Sequence, residues 1–335
     1  MSLLLDVRNL TIELETPAGR VQAVERINLG IREGEIRGLV GESGSGKSLL
    51  AKALMGLESE SWTVHADRMH WKGVELTDLE PQDRRELIGK ELGFIFQEPM
   101  SCLDPTQELG HQLEEVIPMA GCPLPRWHLL GRAKWRRQEA KALLHRVGIK
   151  HHQRVMDSYP HELSEGLCQK VMIAMAIASS PKLLIADEPT AQMETTTEAR
   201  IFRLLAKLNQ LGNMSVLLIT HDLESIIKWS HSITVMYCGQ TVETGSTAQI
   251  TQSPHHPYTE ALLRSIPHFE SDLEHKSLLH TLPGSIPPLQ HLPIGCRLGP
   301  RCPNAQKTCV QKPDVTKIKD HRFYCHYPIN LDKPK

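Results

Sequence analysis

Apolar and polar residues alternate along two segments near the start of the chain, over residues 3–14 and 21–31. A period of two predicts β-strands with one buried face, and Pro17 and Gly19 predict a turn between them. We therefore expect the two strands to pair antiparallel.

Shorter segments further along are apolar throughout, as buried strands are. They cover residues 36–40, 183–186, 216–219 and 233–236, with helix-length sequence between the later ones. Strands that alternate with helices indicate parallel βα units, so the pattern predicts an α/β fold with an antiparallel β subdomain at its start.

Two regions differ from this core. Residues 99–162 are helical and polar in pattern, which predicts a helical insertion. After Pro257 the chain is rich in proline, histidine and cysteine and its periodicity fades, which predicts an irregular C-terminal extension. The candidate buried positions of the insertion are Leu113, Val116, Leu143, Leu144 and Val147.

Composition narrows the class of protein. The chain has 335 residues, more than one typical domain, with 40% hydrophobic and 23% charged residues. A formal net charge of −1 argues against nucleic acid as a partner. The longest apolar runs reach about half the ~20 residues that a membrane helix needs. Because no secretory signal accompanies the eight cysteines, we expect a cytoplasmic protein without a disulfide framework.

One loop carries a complete phosphate-binding motif, G-x-x-x-x-G-K-S, directly after the predicted strand at 36–40. Glycines let such a loop present successive backbone N–H groups to phosphate oxygens. We expect Lys47 to reach the β and γ phosphates of a nucleotide and Ser48 to bind Mg²⁺. The predicted nucleotide-binding residues are Gly41, Glu42, Ser43, Gly44, Ser45, Gly46, Lys47 and Ser48.

Two carboxylates end the predicted strand at 183–186. Asp187 is expected to hold Mg²⁺, and Glu188 to polarise the water that attacks the γ-phosphate. His221 follows the predicted strand at 216–219. Taken alone, such a histidine is more often a surface or hydrogen-bonded residue than a functional one.

Two further segments complete a recognisable order of motifs. Phe-Gln-Glu-Pro stands at 96–99, and Leu-Ser-Glu-Gly at 163–166 opens a predicted helix. With the phosphate-binding loop, the paired acids and the histidine, they resemble the nucleotide-binding subunit of an ABC transporter over residues 1 to about 265.

The resemblance implies roles for these residues. Gln97 would sense Mg²⁺ and the attacking water, and His221 would contact the γ-phosphate. Ser164 and Gly166 would belong to the signature segment, which meets the ATP held by a partner subunit. Hydrolysis would then take place at a dimer interface.

The C-terminal extension, called the tail below, resembles a particular group of ABC transporter subunits. His-Pro-Tyr-Thr at 256–259, Leu-Pro-Gly-Ser-Ile-Pro at 282–287, Gly-Cys-Arg at 295–297 and Pro-Arg-Cys-Pro at 300–303 resemble the oligopeptide and dipeptide transporter ATPases, and most closely the Sap-type peptide transport ATPases. These hydrolyse ATP, with Mg²⁺, at the cytoplasmic face of the bacterial inner membrane, as peripheral subunits that energise peptide transport. The resemblance implies a second, different ATPase subunit, two transmembrane permease subunits and, indirectly, a periplasmic peptide-binding protein. It also implies a link to antimicrobial peptide resistance.

Four cysteines gather in the tail, at Cys296, Cys302, Cys309 and Cys325. Four thiolates can bind Zn²⁺ or an iron–sulfur cluster, and the spacing matches neither common zinc pairs nor ferredoxin runs. A third interpretation of the four cysteines is that they are reduced thiols that bind no metal. The family resemblance implies a [4Fe–4S] cluster, with Zn²⁺ as the alternative.

The signature segment departs from the usual Leu-Ser-Gly-Gly-Gln, because Glu165 and Leu167 replace a glycine and the glutamine. The segment at 191–194 departs as well. Both lie on the surface that would face the partner's nucleotide. We therefore predict an asymmetric heterodimer, in which this chain's own ATP is hydrolysed and the other composite site is impaired.

The predicted domains are an ABC nucleotide-binding domain over 1–265, with a helical subdomain at about 98–164, and a C-terminal extension over 266–335. A regulatory, weakly hydrolysing nucleotide-binding subunit is the alternative function. An ABC ATPase that acts on DNA or ribosomes is disfavoured by the lack of a coiled-coil insertion, a tandem second unit and net positive charge.

Overall fold

The computed structural model describes residues 3–17, 19–191, 193–266 and 282–331. Residues 267–281 and 332–335 of the predicted extension, and Gln192 of the departing segment, lie outside the described residues. The chain divides into two units, one of residues 1–79 with 217–335 and one of residues 80–216.

The secondary structure alternates strands and helices. The strands are β1 Leu3–Thr16, β2 Gly19–Arg32, β3 Ile36–Val40, β4 Trp62–His65, β5 Arg68–Trp71, β6 Val74–Glu75, β7 Leu92–Ile95, β8 Leu183–Asp187, β9 Ser215–Thr220, β10 Ser232–Tyr237, β11 Gln240–Ser246, β12 Thr316–Ile318 and β13 His321–Phe323. The α-helices are α1 Lys47–Leu54, α2 Pro81–Glu91, α3 Pro99–Cys102, α4 Leu109–Glu115, α5 Leu129–Arg146, α6 His152–Met156, α7 Glu165–Ala176, α8 Thr195–Gly212, α9 Leu223–Trp229, α10 Thr247–Gln252 and α11 Pro257–Arg264.

The first unit contains the antiparallel sheet that the alternating pattern predicts. Strands β1 and β2 pair antiparallel, and β4 and β5 both pair antiparallel with β1. Leu10, Ile12, Val24 and Ile27 have no exposed surface, so one face of the ribbon is a hydrophobic core. The antiparallel start of the chain is confirmed.

A second sheet of the first unit carries the parallel core. Strand β10 runs parallel to β3, and β11 pairs antiparallel with β10. The tail contributes the hairpin of β12 and β13, and β13 pairs with β11, where Phe323 lies opposite Glu243. The structure thus adds regular pairing to a tail whose sequence predicts irregular backbone, because buried His321 and Phe323 dock it on the sheet.

The second unit combines a parallel strand pair, β7 with β8, and a group of helices. The helical character predicted for residues 99–162 is confirmed. All but one of its predicted core residues are buried. Val116 is 42% exposed, and that prediction is wrong because Val116 follows the last residue of α4, at a turn that faces solvent. The predicted α/β fold class is confirmed.

Candidate nucleotide-binding site

The phosphate-binding loop connects β3 to α1 in the first unit, as the sequence predicts. Gly41 is buried, and a Cβ atom at this position would lie 2.1 Å from the carbonyl oxygen of Met236. Gly46 caps α1 with φ at 92°, in the region that favours glycine. Sequence and packing together therefore require glycine at both positions. Helix α1 begins at Lys47, within the motif, so its N-terminal N–H groups belong to the phosphate-binding loop.

Lys47 is held at the centre of this loop and is 4% exposed. Its Nζ donates hydrogen bonds to the carbonyl oxygen of Gly41 at 2.7 Å, to that of Glu42 at 3.1 Å and to Oγ of Ser45 at 3.3 Å. The ammonium group is thus fixed inside the ring of loop atoms, where it can exchange carbonyl oxygens for phosphate oxygens.

Glu42 connects the loop to the C-terminal part of the chain. Its backbone N–H donates to the hydroxyl of Tyr258 at 2.9 Å. Its carboxylate accepts from Nη1 of Arg301, at 3.0 and 3.4 Å for the two oxygens. Sequence reasoning used the segments that contain Tyr258 and Arg301 only as family markers and missed their contact with the loop.

The predicted catalytic carboxylates lie in the second unit, at the end of β8. Asp187 is its last residue and is 3% exposed. Glu188 follows with φ at 45°, a left-handed conformation that is uncommon for glutamate. Such backbone strain is frequent at active sites, and here it sets the direction in which the Glu188 side chain leaves the strand.

The signature segment forms the start of α7 in the same unit. Ser164 is the N-cap residue, Glu165 is exposed on the first turn, and Gly166 packs closely, since a Cβ there would lie 3.0 Å from Cγ2 of Thr197. A side chain at position 166 would thus require Thr197 in α8 to shift by a few tenths of an ångström.

Gln97 and His221 both occupy exposed positions just beyond strands. Gln97 follows β7 in the second unit, and His221 follows β9 in the first. Asp222, next to His221, caps α9 by accepting from the N–H groups of Glu224 and Ser225, which fixes the turn that carries the histidine. Each side chain stands where a ligand can reach it; their assigned roles stay predictions.

The four tail cysteines lie close enough for their thiols to influence one another. Burial, together with the charges of the other three thiols, raises the pKa of Cys325 to about 12. Burial also raises the pKa of Cys296 and Cys302, while neighbouring backbone N–H groups lower it by a smaller amount. The sulfur of Cys309 accepts a hydrogen bond from the backbone N–H of Gln306 at 3.5 Å.

An N–H donor of this kind is common at the sulfur ligands of metal and cluster sites. However, no group of three or more histidine, cysteine, aspartate or glutamate side chains in the described parts of the chain is arranged to hold a metal ion. The [4Fe–4S] and Zn²⁺ assignments stay predictions. The same described residues include no helix both long and apolar enough to cross a bilayer.

Comparison with models of known protein families identifies the family of this chain. Residues 24–191 match the model of the family described as ABC transporter. The chain belongs to the ABC transporter family. Residues 242–309 of this ABC transporter chain also match the model of the oligopeptide/dipeptide transporter C-terminal region.

Curated relatives cover almost the whole chain. The peptide transport system ATP-binding protein SapD of Salmonella typhimurium strain LT2 is 54% identical over 98% of this chain and 99% of its own length. SapD of Haemophilus influenzae is 52% identical over 98% and 93% of the two chains. The dipeptide transport ATP-binding protein DppD of Escherichia coli K12 is 44% identical over 98% and 97%.

Solved structures agree on the fold. A dimeric ATP-binding cassette in a post-hydrolysis state with ADP and Pi matches with a TM-score of 0.60 and 25% identity, over 72% of this chain and 98% of that one. A cassette from an ABC transporter complex of Clostridium perfringens matches with a TM-score of 0.61 and 24% identity, over 75% and 92%. The ABC-type P-loop fold predicted from sequence is confirmed.

Proposed function

We propose that this chain is the ATP-binding and ATP-hydrolysing subunit of an ABC transporter that moves peptides. One observation carries the proposal above the others: the intact loop 41–48, with Lys47 held by three oxygen acceptors at its centre. Similarity to the SapD and DppD proteins over nearly the full length supports peptides as the transported class.

In this proposal, different residues of the chain bind the phosphates, hold Mg²⁺ and activate the attacking water. The loop N–H groups and Lys47 would bind the β and γ phosphates, and Ser48, Gln97 and Asp187 would hold Mg²⁺. Mg²⁺, when bound, neutralises charge on the phosphates. Glu188 accepts the proton of the attacking water, and His221 hydrogen-bonds the γ-phosphate. Catalysis relies on positioning and charge neutralisation, as phosphoryl transfer generally does.

Hydrolysis would then drive a mechanical cycle. ATP between two ATPase subunits draws them together, and loss of phosphate releases them. Two membrane permease subunits would receive this motion, so the chain would be peripheral at the cytoplasmic face of the inner membrane. A periplasmic peptide-binding protein would deliver the peptide.

We further propose that the second ATPase subunit is a different chain. The support is Glu165, which is exposed on the first turn of α7 where the family usually has glycine. A carboxylate about 5 Å from a phosphate, at an effective dielectric near 20, is repelled by roughly 3 kcal/mol. That energy is on the order of a hundredfold in rate. The composite site that uses this chain's signature would therefore be impaired.

Replacing Glu165 by glycine tests this asymmetry. In the assembled complex, E165G should raise ATP turnover by about twofold, because a second site becomes active beside the first. Unchanged turnover would contradict an impaired site. A large increase from a very low starting rate would instead favour the alternative, a regulatory subunit that hydrolyses weakly.

We also propose that Cys296, Cys302, Cys309 and Cys325 hold a [4Fe–4S] cluster, with Zn²⁺ as the alternative. Two observations support it: the other three thiols lie close enough to Cys325 to act on its pKa, and the backbone N–H of Gln306 donates to the sulfur of Cys309. Protein purified without oxygen should be brown and contain iron, and C302S should lose both. Bound zinc in colourless protein would favour the alternative, and metal-free protein would contradict both.

The transport function is tested by isolating the chain with its membrane partners. Peptides should stimulate ATP turnover by the purified complex, and K47A should abolish the stimulated turnover. If K47A left turnover unchanged, the ATPase assignment would fail. If turnover depended on Lys47 but no peptide affected it, only the peptide assignment would fail.

A further inference from the structure

The loop residue Glu42 carries a negative charge in a loop assigned to bind a nucleoside triphosphate. Its carboxylate is partly buried and accepts from Arg301 at 3.0 Å. Two like charges disfavour each other at short range, so an unpaired carboxylate here would weaken the binding of phosphate groups. The guanidinium of Arg301 offsets this charge.

Arg301 is itself fixed from several sides and is 9% exposed. Its Nε donates to the carbonyl oxygen of Pro283 at 3.0 Å, and its Nη1 also reaches the hydroxyl of Tyr237 at 3.3 Å. The guanidinium lies 5.8 Å from the centre of the Tyr237 ring. These contacts hold the planar guanidinium in place, with its Nη1 against the carboxylate of Glu42.

The backbone of Glu42 is held by the same group of residues. Tyr258 accepts from the N–H of Glu42 at 2.9 Å, and the rings of Tyr258 and Tyr237 lie 4.8 Å apart. The main chain of Glu42 is therefore held by Tyr258 near the end of the nucleotide-binding domain, and its side chain by Arg301 in the C-terminal extension.

We propose that Arg301 is a positioning residue for nucleotide binding: it neutralises and orients Glu42, so that loop 41–48 can accept a triphosphate. Arg301 does not touch the nucleotide. Because Arg301 directly precedes Cys302, the cysteine-bearing tail becomes part of the nucleotide site's support. This inference rests on the proposed ATP-binding function.

The test compares MgATP binding by the full-length chain and its variants, at low ionic strength and at a fixed protein concentration. R301A leaves Glu42 charged and unpaired, so its Kd for MgATP should rise by about tenfold or more. R301K keeps the charge and should recover most of the loss. R322A removes an exposed arginine from the same tail and serves as the matched control.

The double variant E42Q/R301A separates charge from folding. If Arg301 acts by neutralising Glu42, removal of both charges should lower the Kd by about fivefold or more relative to R301A. If R301A only loosens the tail, the double variant will bind as poorly as R301A, and the proposal is overturned. Melting temperatures of all variants, measured alongside, report the folding effect directly.

The outcomes also distinguish this inference from the function on which it rests. An unaltered chain that fails to bind MgATP would overturn both. The other case is that the unaltered chain binds MgATP and K47A does not. If R301A then binds as tightly as the native chain, only the role of Arg301 is overturned. In the assembled complex, R301A should raise KM for ATP and change kcat far less.

Discussion

The side chain of Gln169 donates a hydrogen bond from Nε2 to the carbonyl oxygen of Pro189, at 2.7 Å. Gln169 lies in α7, which begins at the signature segment, and has no exposed surface. Pro189 directly follows Glu188. The bond therefore joins the helix of the signature segment to the strained turn that carries the proposed catalytic carboxylate.

Loss of this bond should affect both stability and turnover. In Q169A the buried carbonyl of Pro189 loses its donor, so the free energy of unfolding should fall by about 2 kcal/mol. ATP turnover should fall by about tenfold, because Glu188 is less well positioned. Urea denaturation and steady-state ATP hydrolysis measure the two effects. Q22A, at an exposed glutamine, should change neither; equal effects of the two variants would contradict the role given to Gln169.

Gly41 should not tolerate a side chain. Its added methyl group would lie 2.1 Å from the carbonyl oxygen of Met236, so G41A must move backbone atoms. We expect a loss of about 3 kcal/mol in unfolding free energy, together with loss of MgATP binding. G89A is the matched control, because the space around Gly89 in α2 is open, and alanine there should stabilise the helix by up to about 1 kcal/mol. Retention of ATP binding by G41A would refute the packing argument.

The docking of the tail on β11 should depend on pH. Glu243 is fully buried and accepts from Nε2 of His321 at 2.6 Å and from the N–H groups of His255 and His256. Burial raises the pKa of this carboxyl, but the hydrogen bonds from His321 and His255 contribute to outweighing burial, and the pKa lies below its ordinary value of 4.5.

A carboxyl whose pKa is lower in the folded state stabilises that state above its unfolded pKa, and this stability is lost as pH falls. The unfolding free energy should therefore decline as pH drops below 4.5 and through the lower folded pKa. E243Q should be less stable at neutral pH by about 3 kcal/mol and show a flatter decline. Denaturation curves between neutral pH and pH 3 check this, with E139Q at an exposed site as control; parallel curves for native protein and E243Q would contradict it.

The sequence predicted those parts of the molecule that depend on local pattern. Alternation identified β1 and β2, and the loop motif placed Lys47 between a strand and a helix, because strand period and glycine spacing are local properties. The contact between Glu42 and Arg301 joins residues 259 positions apart. No local pattern encodes such a pairing, since it depends on how the tail packs back on the core.

Errors at single positions have a similar origin. Val116 fits the apolar spacing of its helix, but helix ends vary with capping, and the residue lies just past the end of α4. The hairpin of β12 and β13 was missed because its strands are short and rich in charged residues. Their pairing is decided by buried His321 and Phe323, which only the folded sheet brings into place.

The proposed catalytic role of Glu188 is tested by ATP turnover of the assembled transporter when Glu188 is replaced by glutamine. Glutamine keeps the size of the side chain but cannot accept the proton of the attacking water. We predict that E188Q binds MgATP as the native complex does, while turnover falls by about a hundredfold or more. Turnover near the native rate in E188Q would contradict the assignment of Glu188 and, with it, the proposed catalytic site.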